Sequence, residues 1–429
     1  REYKSICKPK GVKDLGETDD MGKHFDANNN FYYCPNEPLD TSAIPLPNGI
    51  EADDSNEMAA EYAETVARCT GNDRFDAHPQ ANDWYETIKL NYGIDYCDWG
   101  GRSNHFNPIP DTWHKMTDIL LFWAAKGIDG FRCDMAEMVP HEFWKYATEK
   151  VKAQYPHIVF IGEVYDPNQY RTYIAAGFDY LYDKVGMYDC LRDVMCEHRS
   201  ANDITRQWQA TDDIGKHVLY FLENHDEQRI ASNFFCGNMQ KGIPALIVAA
   251  LFQCNPIMIY AGQEFGEKGM DGEGFSGIDG RSTIFDYWSI DAIRKGFFER
   301  SKLSAEQVQL EKEYRKILTL CNSEKAISNG KTFDLMYANE TNDAFDSNKQ
   351  FAFLRSSNNT TLLIVANFSK TEAHIRVNIP AHAFDYMEIK EGKKNMVDLL
   401  SGNHQSVVLQ KDSSIEIVVP ALNGRVYKF

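Results

Sequence analysis

Between residues 110 and 265 one pattern repeats, and it restricts the fold more than anything else in the chain. Short apolar runs alternate with segments of helical periodicity. "IDGFRCD", "HIVFIGEV", "FDYLYDKV", "HVLYFLENHD" and "PIMIYAGQEFG" read as strands. "PDTWHKMTDILLFWAAKG", "PHEFWKYATEKVKAQ", "PNQYRTYIAAG" and "GIPALIVAALFQC" read as helices. Pro110 suits a first helical turn and Gly127 a helix stop. Parallel strands need long crossovers, and helices supply them. The pattern predicts five parallel strands with helices outside. In such sheets the chemistry sits just beyond the strand C-terminal ends.

Those ends are acidic. Asp134 follows "GFRC", Glu163 follows "IVFIG" and Asp226 follows "YFLENH". One acid in such a place is often a cap or a turn former. Three at equivalent places, with Arg132 and His225 beside them, would converge on one patch. Residues two apart on a strand share a face, so Arg132 and Asp134 point together.

Paired carboxylates in unlike environments are what glycoside hydrolysis needs. One attacks the anomeric carbon, or activates water, as an anion. The other holds a proton at neutral pH, through burial or a like charge. Arg132 favours the anion at Asp134. Glu163, behind an apolar run and without an adjacent cation, is the better proton donor. Asp226 is left to orient hydroxyls and oppose developing positive charge.

"GFRCD", "GEV" after an apolar strand, and "ENHD" resemble three signature segments of the α-amylase family, glycoside hydrolase family 13. Their order and spacing are also similar, and the resemblance runs from about residue 80 to the end. It implies that Asp134 is the nucleophile, supported by Arg132. It implies that Glu163 is the general acid/base and that Asp226, beside His225, binds sugar hydroxyls. It also implies an α/β fold: a (β/α)8 TIM barrel, a loop-rich insertion after the third strand and a C-terminal antiparallel β-sandwich. Two departures stand out. Met138 occupies a place where the family usually has histidine or lysine. The family's Asp…Asn-His segment and the first three barrel strands are not seen. Five strands cannot close an eight-stranded barrel. An upstream segment of the same polypeptide is therefore expected to complete it.

The flanks fit three domains. Residues 1–105, rich in Asn, Asp, Gly and Pro, form the loop-rich insertion (domain B-like), with one helix expected through "SNEMAAEYAETVARC". Residues 106–328 form the remaining part of the catalytic barrel. Residues 329–429 form the β-sandwich, with strands "QFAFLRSS", "TTLLIVANFS", "HIRVNIP", "SIEIVVPA" and "GRVYKF". Trp99, Tyr92, Tyr96 and Tyr165 either stack on glucosyl rings or pack within the protein; position favours stacking for Tyr165. Asp95, Asp129 and Glu264 are candidate polar contacts or structural groups. The glycine-rich "GEKGMDGEGFSGIDGRS" is acidic and lacks the Gly-Lys-Ser/Thr ending of a phosphate loop, so it reads as a long active-site loop. Oxygen-rich side chains near the N-terminus make Ca²⁺ the one cofactor to test, and some family members bind it there.

A net charge of −18 argues against nucleic acid or an anionic membrane as partner, and no apolar run is long enough to span a bilayer. The ten cysteines show no C-x-x-C spacing, so no metal ligand is assigned; Cys133 and Cys254 sit in apolar runs and read as buried thiols. Cysteine usage leaves the compartment open, with a periplasmic or extracellular site preferred over the cytoplasm. The leading reading is a retaining hydrolase of starch-like α-glucans. The alternatives are an α-glucan transglycosylase and a non-catalytic glucan-binding or interaction relative.

Overall fold

The computed structural model describes residues 15–44, 64, 66–85, 87–97, 99–270, 278–282, 289–358 and 360–429. The chain divides into two compact units, residues 1–160 with 175–178 and residues 161–174 with 179–429.

In the first unit, loops are pinned by short antiparallel pairs. Strand β1 (Tyr33–Cys34) pairs with β2 (Ala67–Arg68), and β3 (Ile94–Asp95) with β4 (Ser103–Asn104). Tyr32, Cys34, Ala67, Cys69 and Ala77 form a small core, with Phe25, Leu39, Phe75 and Tyr96 packed on it. The helix expected at residues 55–69 lies mostly outside the described residues. Its last part is a correction: Ala67–Arg68 is strand, because these residues pair across to Tyr33 and Cys34. Tertiary pairing overrides local helix propensity there.

Helix Asp111–Ala124 follows Pro110, and the chain leaves it through Gly127 at φ 83°. That left-handed turn is strained for any side chain. Strand β5 (Gly130–Cys133), helix His141–Gln154 and the start of β6 (Val159–Gly162) follow. A Cβ on Gly130 would meet the Val159 carbonyl oxygen at 2.4 Å, so only glycine allows this strand approach.

In the second unit the rest of β6 runs parallel to β7 (Tyr180–Tyr182), β7 to β8 (Val218–Phe221) and β8 to β9 (Ile257–Met258). All four residues of β8 are buried, as suits a strand covered on both faces. Helix Gly242–Leu251 is buried at every position. It touches β8 and helix Ala305–Ser323, and also strands of the C-terminal module. A helix apolar all round needs such a covering on every side.

The C-terminal module has a six-stranded sheet in the order β10 (Lys331–Asp334), β11 (Gln350–Ser357), β12 (Thr360–Asn367), β17 (Asn423–Lys428), β14 (Gly392–Asp398), β15 (His404–Leu409). A second sheet pairs β13 (Ala373–Ile379) with β16 (Ser413–Val419). The five strands expected from sequence are present. Strands β10, β14 and β15 were not expected. The sequences of β14 and of the edge strand β15 are half exposed, and that of β14 is largely polar. Arg355 of β11 is fully buried and donates to the carbonyl oxygens of Ala326, Ile327 and Gly330, at 3.0, 2.6 and 3.3 Å, and to that of Phe252. One guanidinium thus satisfies carbonyls at the ends of two helices and ties them to the sheet.

The architecture is the parallel part of a (β/α)8 barrel followed by an antiparallel β domain. Among the described residues, no helix is long and apolar enough to cross a membrane.

Candidate active site

Asp134 is the first residue beyond β5. Its side chain is largely exposed and pairs with the Arg132 guanidinium. The strand pleat puts the two on one face and turns Cys133 inward, where burial pushes its thiol up to about 12. Met135 then takes a left-handed conformation at φ 43°. That conformation costs a non-glycine residue about 1 kcal/mol or more and occurs often at functional sites. It ends the strand at once and starts a 3₁₀ turn, Ala136–Met138.

Glu163 lies just past β6 and is almost wholly buried, at 3% exposure. The Tyr165 hydroxyl donates to its Oε1 at 2.8 Å. The Tyr165 phenol is raised, first by burial, then by this hydrogen bond and by the charges of Glu163, Asp226 and Glu227. Those influences put Glu163, Tyr165, Asp226 and Glu227 in one neighbourhood.

Asp226 sits on the loop after β8. Asn224 Oδ1 accepts the backbone N–H groups of Asp226 and Glu227, each at 2.9 Å. This side-chain turn holds the loop in shape. His225 Nε2 is 3.2 Å from Asp226 Oδ2. The loop is clamped from below by Glu223 and Arg229, an ion pair at 2.8 Å whose side chains are 2% and 0% exposed. Glu223 also accepts the Ile230 N–H at 2.8 Å. Arg229 reaches Ser282 Oγ and the Ala261 carbonyl, and stacks over the Tyr260 ring. Burial pushes the Glu223 carboxyl up, and the charge of Arg229 opposes it.

Three further residues join the site. Lys184, just past β7, lies 3.3 Å from Glu227 Oε1 and faces the Tyr165 ring. The Tyr188 hydroxyl donates to Glu227 Oε2 at 3.1 Å. Asp183, also past β7, is buried. Burial raises its carboxyl to about 6, against hydrogen bonds from Tyr170 and the N–H groups of Met187 and Gly186. Sequence reasoning passed over Asp183, Lys184 and Glu227. The rule that found the other acids applies to "YLYDK" as well, since Asp183 ends a strand.

The structure therefore places Glu163 and Tyr165 past the end of β6, and His225 and Asp226 past the end of β8, in the second unit. In the first unit it pairs Arg132 with Asp134. Trp99 is in the first unit and is fully exposed, with no packing around it to define a sugar platform. Tyr96 stacks on Phe75 and Tyr92 packs on Phe143, so both do structural work.

Residues 108–343 match the family model for the alpha amylase catalytic domain, and residues 342–429 match that for the alpha amylase C-terminal all-beta domain. The chain belongs to the α-amylase family. It is 23% identical over 329 residues to Alpha-amylase 3 of Dictyoglomus thermophilum, covering 70% of this chain and 62% of that protein. It is 30% identical over 194 residues to Alpha-amylase MalA of Haloarcula japonica, covering 44% and 28%. It is 32% identical over 92 residues to an alpha-1,4-glucan:maltose-1-phosphate maltosyltransferase of Cereibacter sphaeroides, covering 20% and 16%. The chain thus spans less than two thirds of the length of these relatives. Among solved structures, an Anoxybacillus alpha-amylase superposes with TM-score 0.57 at 18% identity, covering 76% of this chain and 64% of that one. The maltogenic alpha-amylase AmyB of Thermotoga neapolitana gives 0.56 at 20%, covering 77% and 68%. Both likenesses concern the fold.

The calcium that the family suggests meets no fitting donor set in the described N-terminal residues. Asp19 already accepts the N–H groups of Asn30 and Phe31 and the Tyr33 hydroxyl. Asn30 Oδ1 accepts from Gly16 N–H and from the Lys115 ammonium, each at 2.8 Å. The positive charge at the Asn30 oxygen is a lysine. Among the described residues, no group of three or more His, Cys, Asp or Glu side chains converges as a metal site.

Proposed function

We propose that the enzyme to which this chain belongs hydrolyses α-glucosidic bonds of starch-like poly- or oligosaccharides with retention of configuration. Asp134 attacks the anomeric carbon as Glu163 gives its proton to the departing glycosidic oxygen. A glycosyl ester on Asp134 results. Glu163 then takes a proton from water as that water displaces Asp134. Arg132 pairs with the Asp134 carboxylate and orients it. Asp226 and His225 hold sugar hydroxyls, and Tyr165 supports Glu163.

The observation that carries the reading is the setting of Glu163: buried at a strand end and hydrogen-bonded by Tyr165, whose phenol also feels the charge of Asp226. The test is the anomer released from a malto-oligosaccharide, followed by proton NMR in the first minutes. The α-anomer supports the double displacement; the β-anomer overturns it. The match to a maltosyltransferase relative favours one second reading, transfer of the glycosyl group to a sugar acceptor. Added maltose would then yield longer products at the expense of free reducing ends.

A further inference from the structure

Two sulfur pairs come close in the fold. Cys34 and Cys69 lie 3.9 Å apart, and Cys196 and Cys236 lie 3.7 Å apart. Their surroundings differ. Cys34 and Cys69 are sealed in the small aromatic core of the first unit. Cys196 and Cys236 are partly open to solvent.

We propose that Cys196 and Cys236 form a disulfide by exchange with a protein or small-molecule disulfide, and that the bond staples the segment following Asp226 to helix Asp189–Met195. The bond closes a span of 40 residues. Cys196 directly follows that helix, its N–H bonded to the Arg192 carbonyl at 3.0 Å. Cys236 lies in a tight turn, with its N–H on the Ile230 carbonyl and the Gly237 N–H on that of Ser232. The helix and the Asp226 segment already meet through weaker contacts. Arg192 donates to Gln228 at 2.8 Å and lies over the Phe235 ring, and the Tyr188 hydroxyl, just before the helix, bonds Glu227. The disulfide would make this junction covalent. A disulfide needs sulfurs about 2.05 Å apart, so the two must draw closer as the bond forms.

The chemistry suits the place. The Cys196 thiol is held down at about 6, first by its hydrogen bond with Cys236, against the opposing effect of burial, with Lys241 and Arg192 lowering it further. A thiolate there is the attacking species. It displaces one sulfur of the oxidant disulfide as a thiolate and leaves Cys196 in a mixed disulfide. Cys236, deprotonated as it reacts, attacks the Cys196 sulfur and expels the second thiolate. Two electrons pass from the protein to the oxidant. The two protons lost by the cysteines leave on the oxidant's thiols. Cys34 and Cys69, in contrast, are both buried, at 4% and 0% exposure.

The test uses the full chain, incubated with glutathione disulfide or with dithiothreitol. Free thiols are then trapped by alkylation in denaturant and the peptides mapped by mass spectrometry. The expected result is a cross-linked peptide pair holding Cys196 and Cys236, two hydrogens lighter than the sum of its parts, with Cys34 and Cys69 alkylated. The oxidised protein should melt about 5 °C or more above the reduced protein, because the link restricts the unfolded chain. A variant carrying Cys196→Ser and Cys236→Ser should show no such gap. Alkylation of Cys196 and Cys236 after oxidation would overturn the proposal, as would oxidation of the Cys34–Cys69 pair ahead of them. A cross-link with no change in melting would overturn the staple.

Discussion

The ends of β5 and β8 each present an aspartate beside a basic residue, yet they are held in different ways. Asp134 is exposed and leans on Arg132, two residues back on the same strand face. Asp226 rides on a loop whose two ends are joined beneath it by a buried ion pair six residues apart. The first support is local, wet and energetically small. Exposed ion pairs contribute about 0–1 kcal/mol. The second is dry, and removing either partner strands a charge at a cost of about 3–5 kcal/mol. The two strand ends thus use two kinds of support, one given by the pleat of a strand and one by a loop's foundation.

The largest expected effect treats the strand ends alike. Asp134→Asn and Glu163→Gln should each lower kcat on malto-oligosaccharides by at least about 10³-fold, with little change in melting. An aryl glycoside with a good leaving group should restore much of the first-step rate to Glu163→Gln and none to Asp134→Asn. Equal losses on both substrates would exchange or refute the roles.

The next effect separates the ends. Arg229→Met should destabilise the fold by about 3–5 kcal/mol, read by urea unfolding, while Arg132→Met should cost no more than about 1 kcal/mol. Equal destabilisation would break the comparison.

A third strand end sharpens it. Burial lifts the Asp183 carboxyl from 3.8 to about 6, so the folded chain holds this proton more tightly than the unfolded chain. The stability it contributes is fully present below pH 3.8 and is lost as the pH rises through about 6. Asp183→Asn abolishes the effect. Between pH 4 and 7 the wild type should therefore lose on the order of 3 kcal/mol relative to the variant. A constant difference across that range would show that Asp183 titrates as an ordinary carboxyl.

The smallest effect concerns the hydroxyl on Glu163. Tyr165→Phe should reduce kcat about tenfold, the worth of one hydrogen bond of about 1.4 kcal/mol, and leave KM nearly unchanged. A large rise in KM alone would make Tyr165 a sugar contact and not a support for Glu163.

The sequence by itself determined the features that depend on near neighbours. Alternating apolar runs and helical periods produced the five parallel strands, because period two and period 3.6 are written residue by residue. Acids just past three strands were legible for the same reason, as was the Arg132–Asp134 pair on one face of β5. The helix stop at Gly127 needed only a residue that tolerates φ 83°. Other features were decided only when distant segments met. Ala67–Arg68 became strand because Tyr33–Cys34 lay opposite. Strand β14, largely polar, and β15, at the sheet's edge, gave no apolar alternation strong enough to read. The Glu223–Arg229 clamp depends on both groups being sealed from water, and their letters carry no mark of burial. The meeting of Cys196 with Cys236 across 40 residues belongs to the same class. Local pattern sets which elements form. Burial and long-range pairing set which of their side chains face one another, and those are properties of the assembled fold.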